Sequence, residues 1–437
     1  MRITVIGCGY LGAVHAACMA QLGHEVLGID VDQAKIDALA AGQAPFYEPG
    51  LPELLAEASA TGRLRFSTDM ADAADYDAHF IAVGTPQKKG ENAADLRFVD
   101  AAVTELARHL KPGAVVIGKS TVPVGTARRL AELVKAAQPS AELAWNPEFL
   151  REGFAVEDTL RPDRLVYGLP AGDGGIKAKQ TLDEVYTVAL GNGTPLVATD
   201  YETAELVKVS ANAFLATKIS FINAIAEVCE ATGADVTQLA DAIGFDTRIG
   251  RRFLNAGLGF GGGCLPKDIR AFMARAGELG ADQALTFLRE VDAINLRRRS
   301  RAVDLTREIL DGSLAGKRVA VLGLAFKPDS DDIRDSPALD VAGQLQMQGA
   351  EVIATDPKAI PNARRQYPEL TFMESTPAAI AGADAVVLLT EWKEYRALDP
   401  AATGELVRGK AILDGRNVLD PAAWRAAGWR YRALGRP

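Results

Sequence analysis

The chain of 437 residues carries 48 Lys+Arg against 57 Asp+Glu, a formal net charge of −9, with 48% apolar and 24% charged residues. This length points to two or three domains, and the composition is too apolar for an intrinsically disordered chain. The acidic balance makes a poor phosphate-backbone binder and excludes nucleic acid as an expected partner.

Taken in chain order, residues 3–6, 25–30, 79–83 and 114–119 read as strands, and residues 11–22, 33–40, 97–110 and 126–137 read as helices. That alternation is the signature of βα units on a parallel sheet. Ala171-Gly172-Asp173-Gly174-Gly175 reads as a surface loop. From Glu202 a helical period runs without strand signals to Thr232, where Gly233 can cap it. Such a helix of about 30 residues spans roughly 45 Å, enough to bridge two domains and still offer a face to a second subunit. The alternation restarts with strands at 317–323, 351–356, 383–389 and 410–413 and a helix at 337–348. The expected architecture is therefore α/β: two Rossmann-like parallel-sheet domains joined by a long central helix in an all-helical middle domain, with boundaries at 1–200, 201–300 and 315–437.

Cys8, Cys18, Cys229 and Cys264 form no disulfide framework and no metal-ligand spacing, so no metal is expected and a reducing cytoplasm fits. The apolar N-terminus is broken by three glycines and His15 before any spanning length, and no membrane segment is expected elsewhere.

Gly7-Cys8-Gly9-Tyr10-Leu11-Gly12 follows a strand and opens a helix, the context in which G-x-G-x-x-G binds a dinucleotide. Gly7 permits the tight turn, Gly9 lets the backbone approach a pyrophosphate, and Gly12 lets helix and strand pack closely. Asp30 ends the next strand, where its carboxylate accepts from both ribose hydroxyls and repels a 2′-phosphate, which favours NAD over NADP. Lys35 either reaches the adenosine side or is solvated. Thr85 and Thr121 lie in loops at the ends of other strands of this sheet, from which hydroxyls can touch a dinucleotide. Five glycines between 257 and 263 precede Cys264-Leu265-Pro266-Lys267-Asp268, which places Cys264 at the start of a helix opened by Pro266. There the helix dipole and Lys267 favour thiolate. Asn146-Pro147-Glu148-Phe149-Leu150-Arg151-Glu152-Gly153 sets two carboxylates in a loop at a sheet edge, and Lys208 and Asn212 share a helix face. Lys327, Arg334 and Arg416 lie at or beyond strand ends of the last domain, where they can converge on a diphosphate.

Together these motifs resemble the UDP-glucose 6-dehydrogenase family of nucleotide-sugar dehydrogenases over nearly the whole chain. The resemblance implies a homodimer built about the central helix, NAD in the first domain and the nucleotide of UDP-glucose in the last. Cys264 matches the family's nucleophile, while Lys208, Asn212 and Asp268 match the residues that hold the reacting oxygen and a water. Glu148 matches the acid/base at a thioester and Thr121 its water-holding neighbour. On the cofactor side the resemblance implies Gly7, Gly9, Tyr10, Leu11, Gly12, Asp30, Lys35, Thr85, Thr121, Glu152, Lys267 and Arg334. On the substrate side it implies Glu148, Phe149, Leu150, Lys208 and Asn212. Phe253, Asn255, Gly257 and Gly261 follow from the glycine-rich segment, and Phe326, Lys327 and Arg416 from the last domain. Arg248 matches an arginine that reaches the substrate of the partner subunit.

Two positions depart from the family pattern: Gly263 stands where serine is usual, and Leu265 where phenylalanine is frequent and the GDP-mannose branch has leucine. The sugar therefore stays open between UDP-glucose, GDP-mannose and UDP-N-acetylmannosamine. Oxidation of a primary alcohol to an acid removes four electrons and needs the aldehyde held between two hydride transfers, which a thiolate does. A two-electron hydroxyacid dehydrogenase or a silent nucleotide-sugar sensor would share the glycine fingerprint but would not use Cys264.

Overall fold

The computed structural model describes all 437 residues, which cluster into two compact units. The first is Met1–Ala211 with Arg270–Gly280, and the second is Asn212–Ile269 with Ala281–Pro437. The segment expected as a middle domain thus divides between the two.

The first unit holds strands β1 (Arg2–Ile6), β2 (Glu25–Ile29), β3 (Leu64–Ser67), β4 (Ala78–Ile81), β5 (Val115–Gly118), β6 (Glu142–Trp145), β7 (Leu165–Gly168) and β8 (Leu196–Thr199). Their order is β3-β2-β1-β4-β5-β6-β7-β8, parallel throughout except at β6–β7. The first six follow the 3-2-1-4-5-6 order of dinucleotide-binding sheets. One face buries Ile3, Val5, Phe80 and Ile117 against Ala13, Val14 and Ala17 of the Tyr10–Gln21 helix. The other face buries Ile6, Ile81 and Val116 against Val103 and Leu130. Burial on both faces makes these strands continuous apolar runs, which is why they are legible in the sequence.

The helices Gln33–Ala40 and Thr126–Ala137 form where the periodicity places them. The segment read as a surface loop at 171–175 is corrected: a helix, Asp173–Val185, begins inside it. Gly172 takes φ 72 at its N-cap, and a Cβ at Gly175 would lie 2.1 Å from Pro170 O, so these glycines mark a tight helix entry.

The second unit holds β9 (Arg318–Leu322), β10 (Glu351–Thr355), β11 (Thr371–Phe372), β12 (Ala385–Leu388), β13 (Ala411–Asp414) and β14 (Arg430–Ala433). All are parallel, in the order β11-β10-β9-β12-β13-β14. The Phe287–Ile309 helix contributes Ala302, Val303, Leu305 and Ile309 to its core.

The long helix spans Tyr201–Thr232 and ends where Gly233 adopts φ +77. Its length and a stretch of mean hydropathy 1.3 would suffice to cross a bilayer, a test of length and composition that buried core helices also pass. Buried Glu205, Lys208, Asn212 and Asn223 along it mark a helix that packs inside protein instead.

Candidate active site

Gly7 turns the chain at the end of β1 with φ +91, and its N–H donates to Ile29 O at 2.7 Å. A Cβ at Gly12 would lie 1.8 Å from Gly7 O, whereas one at Gly9 would meet nothing within 4 Å. Gly12 is thus set by packing, and Gly9 opens the space in which a pyrophosphate approaches the N-terminus of the Tyr10–Gln21 helix. Asp30, just past β2, is 8% exposed. Its Oδ2 accepts from Cys8 N–H and Lys35 Nζ, both at 2.8 Å, and its Oδ1 accepts from Asp32 N–H at 3.1 Å. Lys35 is therefore an ion-pair partner of Asp30 and not a solvated side chain. The neighbouring Val31 is 95% exposed, an apolar side chain open to a ligand beside the Asp30 carboxylate. The donor set and the open glycine fit a bound NAD.

Thr85 Oγ1 donates to Thr121 O at 2.7 Å, which ties the loop after β4 to the loop after β5. Tyr10 donates from its hydroxyl to Glu48, a carboxylate absent from the sequence reading and 2% exposed. Glu48 also accepts from the N–H groups of Gly153 and Ala155, each at 2.7 Å, so it fastens the fingerprint to the loop that carries Glu152. Burial and this carboxylate push the Tyr10 phenol well up. The only signal for Glu48 in the sequence was a Tyr47-Glu48-Pro49-Gly50 turn.

Glu148 leaves the end of β6 with Oε2 accepting from Leu150 N–H at 2.6 Å and Oε1 paired with Lys208 Nζ at 3.0 Å. Lys208 Nζ also lies 5.6 Å from the Phe149 ring centroid, and Arg164 stacks over the same ring at 3.8 Å. The structure thus joins Glu148, Phe149, Leu150 and Lys208, which are separated by as many as 60 positions in the chain.

In the second unit Cys264 is exposed immediately before the Leu265–Glu278 helix, with Pro266 in its first turn. The other three cysteines are buried, and burial pushes Cys8 and Cys18 up to about 12. Asn212 Nδ2 donates to Asp268 Oδ2 at 2.6 Å, and Asp268 N–H donates to Cys264 O at 2.9 Å. Lys267, expected to act on the thiol, is paired with Asp268 at 2.7 Å.

The glycine-rich loop is shaped by close approach. Gly257 N–H donates to Asn223 Oδ1 at 2.9 Å, and a Cβ at Gly261 would lie 2.4 Å from Asp335 O. The Phe326 ring covers Gly262. A Cβ at Gly263 would lie 2.3 Å from Arg334 Cζ, so the residue that departs from the family pattern is the one over which Arg334 lies. Arg334 grips Asp332 with Nε and Nη2, at 2.9 and 2.7 Å. Lys327 Nζ sits 5.5 Å from the Phe326 centroid.

Arg416, read as a diphosphate partner, spends Nε, Nη1 and Nη2 on Leu389 O, Gly259 O and Phe326 O at 2.7, 3.1 and 3.2 Å and pairs with Glu391. It clamps the loops around the site. Phe253 is held at φ 65, and Asn255 Oδ1 accepts from Arg251 at 2.8 Å. Arg248 is exposed and clipped to Asp246 at 2.6 Å.

Residues 1–189 match the NAD binding domain of the UDP-glucose/GDP-mannose dehydrogenase family, 202–297 its central domain and 320–421 its UDP binding domain. The chain belongs to this family. It is 44% identical to the UDP-glucose 6-dehydrogenase of Rhizobium meliloti (strain 1021) over 440 residues, covering 100% of both chains. The solved structure of a UDP-glucose dehydrogenase from Pyrobaculum islandicum is similar at TM-score 0.90 and 40% identity, covering 100% of this chain and 98% of that one. The UDP-D-ManNAc dehydrogenase of Pyrococcus horikoshii is similar at TM-score 0.87 and 28% identity, covering 100% and 99%. Family membership makes the chain an NAD-dependent oxidoreductase with two Rossmann-like domains.

Proposed function

We propose that this protein oxidises the C6 alcohol of UDP-glucose to the acid, giving UDP-glucuronate through a covalent link to Cys264. The observation that carries this reading is the one exposed cysteine, at the head of a helix and backed by the Asn212–Asp268 pair. Two NAD, held in turn at the Gly7–Gly12 turn and Asp30, would supply the hydride acceptors, one for each oxidation. Lys208, nearly buried, offers positive charge to the alkoxide that develops on the substrate. Cys264 Sγ adds to the aldehyde, and loss of the second hydride from the resulting thiohemiacetal leaves a thioester. Glu148 takes a proton from the water that adds to the thioester carbonyl; the C–S bond breaks and Cys264 leaves as thiolate. Asn212 and Asp268 orient the reacting oxygen and water.

Likeness to UDP-glucose enzymes favours glucose over the GDP-mannose and UDP-N-acetylmannosamine alternatives. A two-electron hydroxyacid dehydrogenase and a silent sensor have no use for the exposed thiol.

A cytoplasmic homodimer completes the reading. None of the four cysteines is in a disulfide, which suits a reducing compartment. Phe214, Phe221 and Val228 recur every seven residues on the long helix at 67, 50 and 57% exposure, an apolar row that a second copy would cover. Exposed Arg248, paired with Asp246 in its own chain, would serve that copy in this reading.

The test is stoichiometry over a panel of nucleotide sugars. Two NADH per UDP-glucose consumed, with UDP-glucuronate as product and slower reaction of GDP-mannose and UDP-N-acetylmannosamine, is expected. One NADH per product, or none, would overturn the four-electron reading.

A further inference from the structure

Behind Glu148 lies a buried polar cluster that the scheme above does not use. Lys119 directly follows β5, and its N–H donates to Ile81 O at 2.9 Å. Its Nζ donates to Asn146 Oδ1 at 3.0 Å and to Tyr186 Oη at 3.1 Å. Tyr186 Oη donates to the same Asn146 oxygen at 2.6 Å, and Asn146 Nδ2 donates to Val166 O at 3.0 Å. Asn146 is the first residue after β6 and stands two before Glu148, so this network anchors the root of the Glu148 loop. The ammonium also lies 5.8 and 5.7 Å from the ring centroids of Phe80 and Tyr186.

An ammonium this deep is costly, and an apolar side chain of similar shape would pack there at less expense in desolvation. Burial pushes Lys119 down to about 8; the Glu148 carboxylate favours its charge, and Lys208 opposes it. Lys119, Glu148 and His15 line one cavity of about 40 Å³, and His15 Nε2 is buried there without a partner. That space accommodates about two waters. Of the other ionisable groups around it, His15 and Tyr186 are held neutral by burial. Asp158 is gripped by Arg151 at 2.5 Å, Arg164 lies on the Phe149 ring, and Asp163 completes the lining.

We propose that Lys119 is a positioning residue for Glu148: its hydrogen bonds to Asn146 and Tyr186 fix the root of the Glu148 loop, so that the carboxylate is held in place to accept a proton during thioester hydrolysis. The inference rests on the reading of Glu148 given above. Lys208 pairs with this carboxylate directly, whereas Lys119 reaches it through Asn146, and the two have different fates in the reaction. Lys208 turns to the substrate oxygen as negative charge develops there, whereas Lys119, locked by two hydrogen bonds, stays with Glu148 through the cycle.

Loosening the root of this loop should slow the step that needs Glu148 in place and spare the steps before it. The test follows formation and decay of the protein-bound thioester in a single turnover, by acid quench and intact-protein mass spectrometry. In Lys119→Met decay should slow about tenfold while formation keeps the wild-type rate. Lys119→Arg, which retains a charged donor for Asn146, should restore most of the decay rate. Tyr186→Phe, which also loosens Asn146, should slow decay and again spare formation. NAD affinity verifies folding, and Lys119→Gln serves if Met does not fold. Decay at the wild-type rate, or formation slowed as much as decay, would overturn the proposal. Wild-type protein that forms no thioester would instead overturn the functional reading and this inference with it.

Discussion

The two sheets of this molecule share a strand order and differ in what they leave open. β3-β2-β1-β4-β5-β6 and β11-β10-β9-β12-β13-β14 are the same topology, and each carries an aspartate one residue past its second strand, Asp30 and Asp356. Each also turns on a glycine after its first strand: Gly7 and Gly323 both take positive φ, and each donates its N–H to the strand carrying that aspartate. Beyond this the likeness stops. The first turn continues Cys8-Gly9 and opens onto space, while the second continues Leu324-Ala325 with both residues fully buried. Asp30 accepts one N–H from its turn and pairs with Lys35. Asp356 Oδ2 accepts from Leu324 N–H, Ala325 N–H and Trp392 Nε1 at 2.7, 3.0 and 3.1 Å, and its Oδ1 accepts from Lys358 N–H and Ala359 N–H at 2.9 and 2.8 Å. Asp30, with three protein donors, stands beside the open turn at Gly9; Asp356, with five, stands beside a closed one. Fold supplies the position, and local residues decide whether it becomes a site.

Paired substitutions break this comparison most directly. Asp30→Ala should weaken NAD binding about 100-fold, as expected for two charge-assisted ribose bonds, and narrow the preference over NADP. Calorimetric titration measures it, and unchanged affinity would remove Asp30 from the site. Asp356→Ala should leave NAD affinity intact yet destabilise the second unit by about 2 kcal/mol, because several buried donors lose their acceptor. Thermal unfolding with and without NAD separates the two outcomes.

A smaller effect sharpens the contrast from the first unit alone. Glu205 accepts from Gly125 N–H and Ala127 N–H, both at 2.7 Å, and so caps the Thr126–Ala137 helix; burial nevertheless pushes it up to about 7. A carboxyl raised in the folded state is protonated there while already ionised when unfolded, so its contribution to stability falls as pH rises from its ordinary range through about 7. Glu205→Gln cannot ionise and should lack this slope. Its thermal midpoint relative to wild type should therefore climb between pH 5 and 8, by an amount on the order of 1 kcal/mol. A constant difference across that range would mean Glu205 does not titrate there.

How much of this was legible in the sequence varies with how local the cause is. β1, β2 and the fingerprint were readable because a doubly buried strand, a glycine turn and an acid follow one another within 30 residues. Cys264 was readable from its glycines and Pro266. β3 was not, because its four residues mix polarities, nor was β7, because a fully buried run of four residues is too short to carry a periodic signal. Glu48, Lys119 and Tyr186 were missed because their roles depend on partners 27 to 107 positions away. Arg416 was legible as a cation at a strand end, but that its guanidinium would turn to three backbone carbonyls was decided by tertiary packing.

The covalent scheme is tested most directly by the Glu148→Gln variant mixed with UDP-glucose and NAD and examined by intact-protein mass spectrometry. It should accumulate an adduct of substrate mass less four hydrogens, with about two NADH formed per site, and Cys264→Ala should show no adduct. Normal turnover of Glu148→Gln without an adduct, or uronic acid made by Cys264→Ala at the wild-type rate, would contradict the scheme.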